Sequence, residues 1–228
     1  MSERWLYLDS GVGEPAWNMA MDEALLEAAP RHSSPVLRVY SWSEPAATFG
    51  YSQRFSEIER VTGLRPLIRR PTGGGLVPHD ADWTYSLVFP PDHSWYALKA
   101  TESYERVHQW IKDAFQKLNV PTELSPCCKK EIPGQCFVGF EKSDVLWHGR
   151  KIAGAAQRRT KTGLLVQGSV QPPPIRLAKE AWHKAMRDVA QGSFAARWEK
   201  FMPDSALTDA AAAHAREKYS QDRYNRKR

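Results

Sequence analysis

The 228-residue chain predicts an α+β fold with one mixed, largely antiparallel central sheet flanked by helices. Strand-like segments arrive in runs with helices interspersed between them, and His148-Gly149 reads as a two-residue hairpin turn. Hydrophobic residues make up 42% of the chain and include nine tryptophans, enough for a real core.

The elements follow in order. Residues 14–29 place Trp17, Met21, Ala24, Leu25 and Ala28 at helical spacing and predict an amphipathic helix. "VLRVYSW" (36–42) and "AATFGYSQ" (46–53) are β-rich, with Pro45 marking the turn between them. "LRPLIRR" (64–70) predicts a strand running into "PTGGG". "DWTYSLVF" (82–89) alternates in polarity and ends at Pro90-Pro91. A second helix is predicted over 103–119, with Tyr104, Val107, Ile111, Ala114 and Leu118 on one face and Pro121 beyond its end. "SDVLW" and "RKIAGAAQRR" flank the hairpin turn, and "GLLVQGSVQ" (163–171) is the next strand. After Pro172–Pro174 the chain reads as helical and charged. That segment is short for an independent core, so the expected division is a catalytic-type domain over 1–175 with 176–228 docked on it as a helical tail.

No apolar run reaches the ~18 residues of a membrane span, and "MSERWLYLDSG" lacks the regions of a signal peptide. Three cysteines, an odd number with Cys127 and Cys128 adjacent, make no disulfide framework. The expected compartment is the cytoplasm, with no membrane partner. A formal charge of +6 suits an acidic protein partner; no helix-turn-helix, zinc-finger or RNA-recognition signature accompanies it, so nucleic acid is not expected.

Three stretches carry candidate chemistry. In "RRPTGGGLVPHD", Gly73, Gly74 and Gly75 follow Arg69 and Arg70 and precede His79 and Asp80. Three successive glycines weaken helix and strand alike. They are either a plain turn or a close backbone approach offering N–H groups to an oxyanion, carbonyl or phosphate. Neither a P-loop nor a dinucleotide fingerprint is present. Lys151 opens the second hairpin strand ahead of the small residues "AGAA", and is either a solvated strand lysine or a cation on a pocket wall with little packing role. Cys136, fifteen residues before it, is either inert and buried or a nucleophile activated by nearby cations. No CxxC or CxxxH partner accompanies Cys127-Cys128, so no metal site is expected.

Taken in order, "NMAMDEALL", "RRPTGGGLVPHD" and "GRKIAGAAQRR…LLVQGSV" make the chain resemble the lipoate-protein ligase and octanoyltransferase family, relatives of the biotin protein ligases, over about residues 5–170. The resemblance implies one α+β catalytic domain whose pocket takes an octanoyl or lipoyl chain. It implies substrate binding by Arg69, Arg70, Gly73, Gly74, Gly75, His79, Asp80, Gly154, Gln167, Gly168 and Ser169, the last three on a turn, and an active-site role for Lys151. Two chemistries occur in such a family. A transferase needs no cofactor and passes the chain from acyl carrier protein through a cysteine thioester to a lysine of a lipoyl domain, on 2-oxoacid dehydrogenases or the glycine cleavage H protein. A ligase uses ATP and Mg and an acyl-adenylate. The placement of Cys136, the Ser143-Asp144 hairpin entry in place of Asn-Asp, and the short chain favour the cysteine-using transferases, with Cys136 and Lys151 catalytic.

Overall fold

A computed structural model of the chain describes residues 2–130 and 139–227. Its strands are β1 (Glu3–Gly13), β2 (Val36–Trp42), β3 (Ala46–Phe49), β4 (Leu67–Arg69), β5 (Val77–His79), β6 (Trp83–Phe89), β7 (Glu123–Leu124), β8 (Lys129–Lys130), β9 (Gly139–Phe140), β10 (Val145–Trp147), β11 (Arg150–Thr160), β12 (Gly163–Val170) and β13 (Ala196–Lys200). The helices are α1 (Pro15–His32), α2 (Phe55–Ile58), α3 (Ala100–Lys117), α4 (Lys179–Ser193), α5 (Ser205–His214) and α6 (Asp222–Asn225), with a π-turn at Ala215–Tyr219 before the last.

The central sheet runs β13-β1-β2-β6-β12-β11-β10-β7. Its first two pairings are parallel and the rest antiparallel. It is therefore mixed and largely antiparallel, as the hairpin signals predict. Strand alternation sends successive side chains to opposite faces. Trp5, Leu87 and Phe89 enter a core with Trp110, Ile111 and Phe115 of α3 and Trp182 of α4. Leu6, Leu8, Val88 and Leu165 enter the other core, with Leu25 of α1 and Leu207 of α5. Each such side chain contributes about 1.5–3 kcal/mol on burial. A small second sheet, β4-β3-β5, stands beside the first and carries the glycine-rich segment between β4 and β5.

The hairpin turn is built as read: His148 and Gly149 both have positive φ, 48° and 73°, the signature of a type I′ turn. The tail departs from the sequence reading. Ala196–Lys200 is a strand, pairing in parallel with β1 from Glu3↔Ala196 to Tyr7↔Lys200. Its apolar alternation is weak because it is an edge strand whose residues are mostly exposed or half-buried. α5 of the same segment packs on α1. Gln167-Gly168-Ser169 lies within β12 and is not a turn. Cys136 falls outside the described residues.

Candidate functional site

β10 and β11 pair with a register shift: Val145 faces Ala153, but Leu146 faces Lys151. Ile152 is the extra residue of a β-bulge, a device that re-aims the neighbouring side chain. Lys151 is consequently buried, 8% exposed, and its Nζ lies 2.7 Å from Asp144 Oδ2. This corrects the expectation of a lysine with little packing role. Asp144 is fully buried. Its Oδ1 accepts the Tyr104 hydroxyl at 2.5 Å and its Oδ2 accepts the Glu141 N–H at 2.7 Å. Burial, and next the Asp144 charge, raise the Tyr104 pKa well above the usual phenol value, so the hydroxyl stays a donor. Gly154 makes this arrangement possible, because a Cβ there would lie 2.6 Å from Lys151 Cε and 2.7 Å from Nζ.

The lysine faces a narrow slot with a cavity volume of about 40 Å³. One wall is sheet: Lys151, Gly154, Ala155 and Ala156 of β11 with Gln167, Gly168 and Ser169 of β12. The opposite side is Thr48, Arg70, Val77 and His79, with Met19, Tyr40 and Thr84 completing the lining. Small side chains on β11 and β12 leave room for an apolar ligand, while the polar groups are few, as in small-molecule pockets generally.

The polar side is locked by a directed chain of hydrogen bonds. Arg70 donates to Thr48 Oγ1 at 2.9 Å, and Thr48 lies 2.8 Å from His79 Nε2. His79 Nδ1 lies 2.9 Å from Asp82 Oδ2, which also accepts from Thr84 and Ser169. An imidazole whose Nδ1–H donates to Asp82 and whose Nε2 accepts from Thr48 pairs both ring nitrogens, while Asp82 Oδ1 stays buried without a hydrogen-bond partner among the described residues. The His79 ring also stacks on Trp42 at 3.9 Å. Both of its ring nitrogens are thus engaged within the protein.

The other predicted residues are placed differently. The second Arg70 nitrogen donates to the carbonyls of Gly73 and Gly75, each at 2.8 Å, so the loop wraps the guanidinium. Gly73, Gly74 and Gly75 do not line the slot. Gly74 has φ 82°, and its carbonyl approaches Gly50 so closely that a Cβ on Gly50 would collide with it. At Gly74 the run makes a close backbone approach within the protein, whereas a Cβ on Gly73 would meet nothing within 4 Å. Arg69 points away from the slot, is fully buried, and donates to the carbonyls of Tyr51, Gln53, Tyr224 and Asn225. Asp80 is exposed and outside the slot; the histidine's carboxylate partner is Asp82. Sequence reasoning misses Tyr104, Asp144, Thr48 and Met19 as site residues. The one available signal is for Asp144, which enters the hairpin almost opposite Lys151.

Beneath the slot, Asp22 is fully buried and accepts from Arg38 (2.6 Å), Ser86 (2.6 Å), Tyr40 (3.1 Å) and Gln167 (2.7 Å), while Gln167 Oε1 accepts from Thr72 at 2.7 Å. This network fixes Gln167 against α1 and the glycine-rich segment. Among the described residues, no group of three His, Cys, Asp or Glu is placed to hold a metal ion, and no helix is long and apolar enough to cross a membrane.

Two predictions concern this region's stability. A Cβ on Gly168 would overlap the ring of Tyr85, its cross-strand partner, which is fully buried. Gly168→Ala is expected to cost about 1–3 kcal/mol by overpacking, read as a lower Tm; an unchanged Tm would show that the ring moves freely. His108, on α3 against Tyr104, is fully buried, and burial lowers its pKa to about 4; His183, 6% exposed, is lowered likewise to about 4. An unfolded histidine protonates near pH ~6.5. The unfolded chain therefore binds more protons between about pH 6.5 and 4, and stability falls there by up to ~1.4 kcal/mol per pH unit per histidine. Chemical denaturation at about pH 7 and 4.5 should show this loss, and His108→Leu should make it smaller, with His183 and the less strongly lowered His32 and His93 supplying the rest.

The chain has relatives of known family and fold. The profile for the lipoyl protein ligase A/B catalytic domain matches residues 14–172. Octanoyltransferase LipM of Staphylococcus aureus is 34% identical over 183 residues, 75% of this chain and 66% of its own. LipM of Bacillus cereus is 36% identical over 181 residues, 74% and 65% respectively. The chain thus spans about two thirds of the length of these curated relatives. A crystal structure of lipoate-protein ligase A bound with ATP matches with a TM-score of 0.80 at 19% identity over 99% of both chains. A bi-partite lipoate protein ligase from Thermoplasma acidophilum, solved in a study of that enzyme and its E2 lipoyl domain, matches at 0.75 and 18% identity, over 99% of this chain and 96% of its own. At those identities the structural matches establish the fold.

Proposed function

The chain belongs to the lipoyl protein ligase A/B catalytic-domain family, and from that premise we propose that it is an octanoyltransferase of protein lipoylation. The observation that carries this reading is the apolar slot with Lys151 held at its wall by Asp144, in a chain 34–36% identical to octanoyltransferases. The donor is an octanoyl thioester of acyl carrier protein, and the acceptor is a lysine of a lipoyl domain. The Thermoplasma ligase was studied together with its E2 lipoyl domain, which supports that acceptor class. The catalytic domain spans 1–175, and residues 176–228 are a docked extension of it.

The Cys136 thiolate attacks the thioester carbonyl carbon; the tetrahedral intermediate collapses, the carrier thiolate leaves, and the chain remains on sulfur. The unprotonated acceptor amine then attacks the same carbon, forming an amide and releasing the Cys136 thiolate, while the amine's proton passes to solvent or that thiolate. Through both tetrahedral intermediates the Lys151 ammonium faces the oxyanion. A preorganised donor of this kind contributes about 3 kcal/mol to the barrier reduction. The glycine-run N–H groups, expected from sequence to share this role, are not in the slot lining, so the lysine carries it. His79 keeps Asp82, Ser169 and Thr48 in place, Arg70 holds the loop, and Gly154, Gln167, Gly168 and Ser169 bound the chain. No cofactor enters this sequence of steps.

The test is intact mass after mixing the protein with octanoyl carrier protein in the absence of ATP. One added octanoyl group, removed by hydroxylamine, is expected. Strict dependence on ATP with pyrophosphate release would replace the reading with an ATP- and Mg-using ligase.

A further inference from the structure

Resting on the acyl-transfer reading, we propose that Met19 is the end stop of the slot and sets the length of acyl chain the enzyme accepts. The reacting end is marked by Lys151, whose Nζ lies 2.7 Å from where a Gly154 Cβ would be. From there the slot follows β11 and β12. Gly154 pairs with Ser169, Ala155 with Gly168 and Ala156 with Gln167. At the Ala156–Gln167 step the Gln167 amide meets Met19 Sδ at 3.4 Å. Met19 is 1% exposed and packs with Ala20, Tyr40, Ile68 and Tyr219, so the space behind it is filled by core.

The distances suit a chain of about eight carbons. Two strand steps from Gly154 to Ala156 cover about 7 Å. A strand advances about 3.3 Å per three backbone bonds, so the seven bonds of an extended octanoyl chain cover about 8 Å by the same zigzag geometry. Along this path the residues that project to the slot side are Gly154 and Ala156 with Ser169 and Gln167, and the first two are small. The terminal methyl of an eight-carbon chain therefore comes to rest against the Met19 thioether, an unbranched side chain suited to contact with a flexible end. Gln167 cannot yield in its place, since its amide is held at both ends by Asp22 and Thr72.

The experiment varies the stop and reads chain-length preference. Wild type, Met19→Ala and Met19→Phe are assayed for transfer from hexanoyl, octanoyl, decanoyl and dodecanoyl carrier protein to a lipoyl domain. In parallel, thermal shift measures binding of the corresponding free acids. Wild type should prefer octanoyl. Met19→Ala should raise the dodecanoyl-to-octanoyl ratio of kcat/KM at least roughly tenfold, the scale on which methylenes are discriminated in apolar pockets. Met19→Phe should move the preference to hexanoyl, and it keeps the test open if the alanine variant folds poorly. An unchanged length profile in a folded variant overturns the end-stop role while leaving the transferase reading intact. A wild type that transfers and binds no chain of any length overturns the transferase reading and the inference with it.

Discussion

Lys151→Ala is expected to lower kcat/KM for octanoyl transfer by about 10²- to 10³-fold, the effect of removing one preorganised oxyanion donor. It should also lower stability. Lys151 and Asp144 form a buried pair at 2.7 Å, with side chains 6% and 0% exposed. Removing one partner of such a pair costs about 3–5 kcal/mol, because the other charge stays buried. The Tyr104 hydroxyl and Glu141 N–H still bind the carboxylate, which places the cost near the lower end. The activity and stability effects separate in the double variant Lys151→Ala/Asp144→Asn, which should melt higher than the single variant and remain inactive. Lys151→Arg should rescue poorly: Gly154 leaves room for a compact ammonium, and a planar guanidinium needs a wider site. Steady-state kinetics and thermal melts check all three. Wild-type activity in folded Lys151→Ala would remove the lysine from the mechanism.

The second large effect is at Cys136. Cys136→Ser is expected to abolish the acyl-enzyme and to reduce turnover by several orders of magnitude, because an alkoxide forms far less readily than a thiolate at neutral pH. Cys127→Ser and Cys128→Ser should retain activity; both residues are exposed free thiols. The measurement is intact mass with octanoyl carrier protein, alongside transfer to a lipoyl domain. Full activity in Cys136→Ser, with a requirement for ATP, would assign the chain to the adenylate-forming chemistry.

Local chemistry makes some features legible in the sequence itself. The His148-Gly149 turn follows from two residues that tolerate positive φ, and α3 from a helical period that buries Val107, Ile111 and Ala114. The slot residues from Lys151 to Ser169 are legible as motifs. What is not legible depends on distant pairing. The edge strand β13 exists because β1, near the start of the chain, offers it a parallel register. Adjacency in sequence points to Asp80 as the partner of His79, but the turn after β5 returns Asp82 to the ring. The two arginines before the glycines look equivalent in sequence, yet strand alternation sends Arg70 to the slot and Arg69 to the opposite side. The bulge at Ile152 leaves no sequence signal, although it determines that Lys151 meets Asp144.

The fate of Arg69 bears on how the chain is made. Its guanidinium is held by the carbonyls of Tyr224 and Asn225, and its own N–H by the Asn225 side chain, a contact spanning 156 residues. Ribosomes add roughly 5–20 residues per second, so β4 leaves the exit tunnel many seconds before its clasp is synthesised. During that interval Lys151 and its hairpin can form, since their contacts are local, and Arg69 can reach the Tyr51 and Gln53 carbonyls, but the strand leading into Arg70 and the glycine loop lacks its contacts with Tyr224 and Asn225. A nascent chain stalled short of Asn225 is therefore expected to hold the β11–β12 wall of the slot and to lack part of the support behind the opposite one.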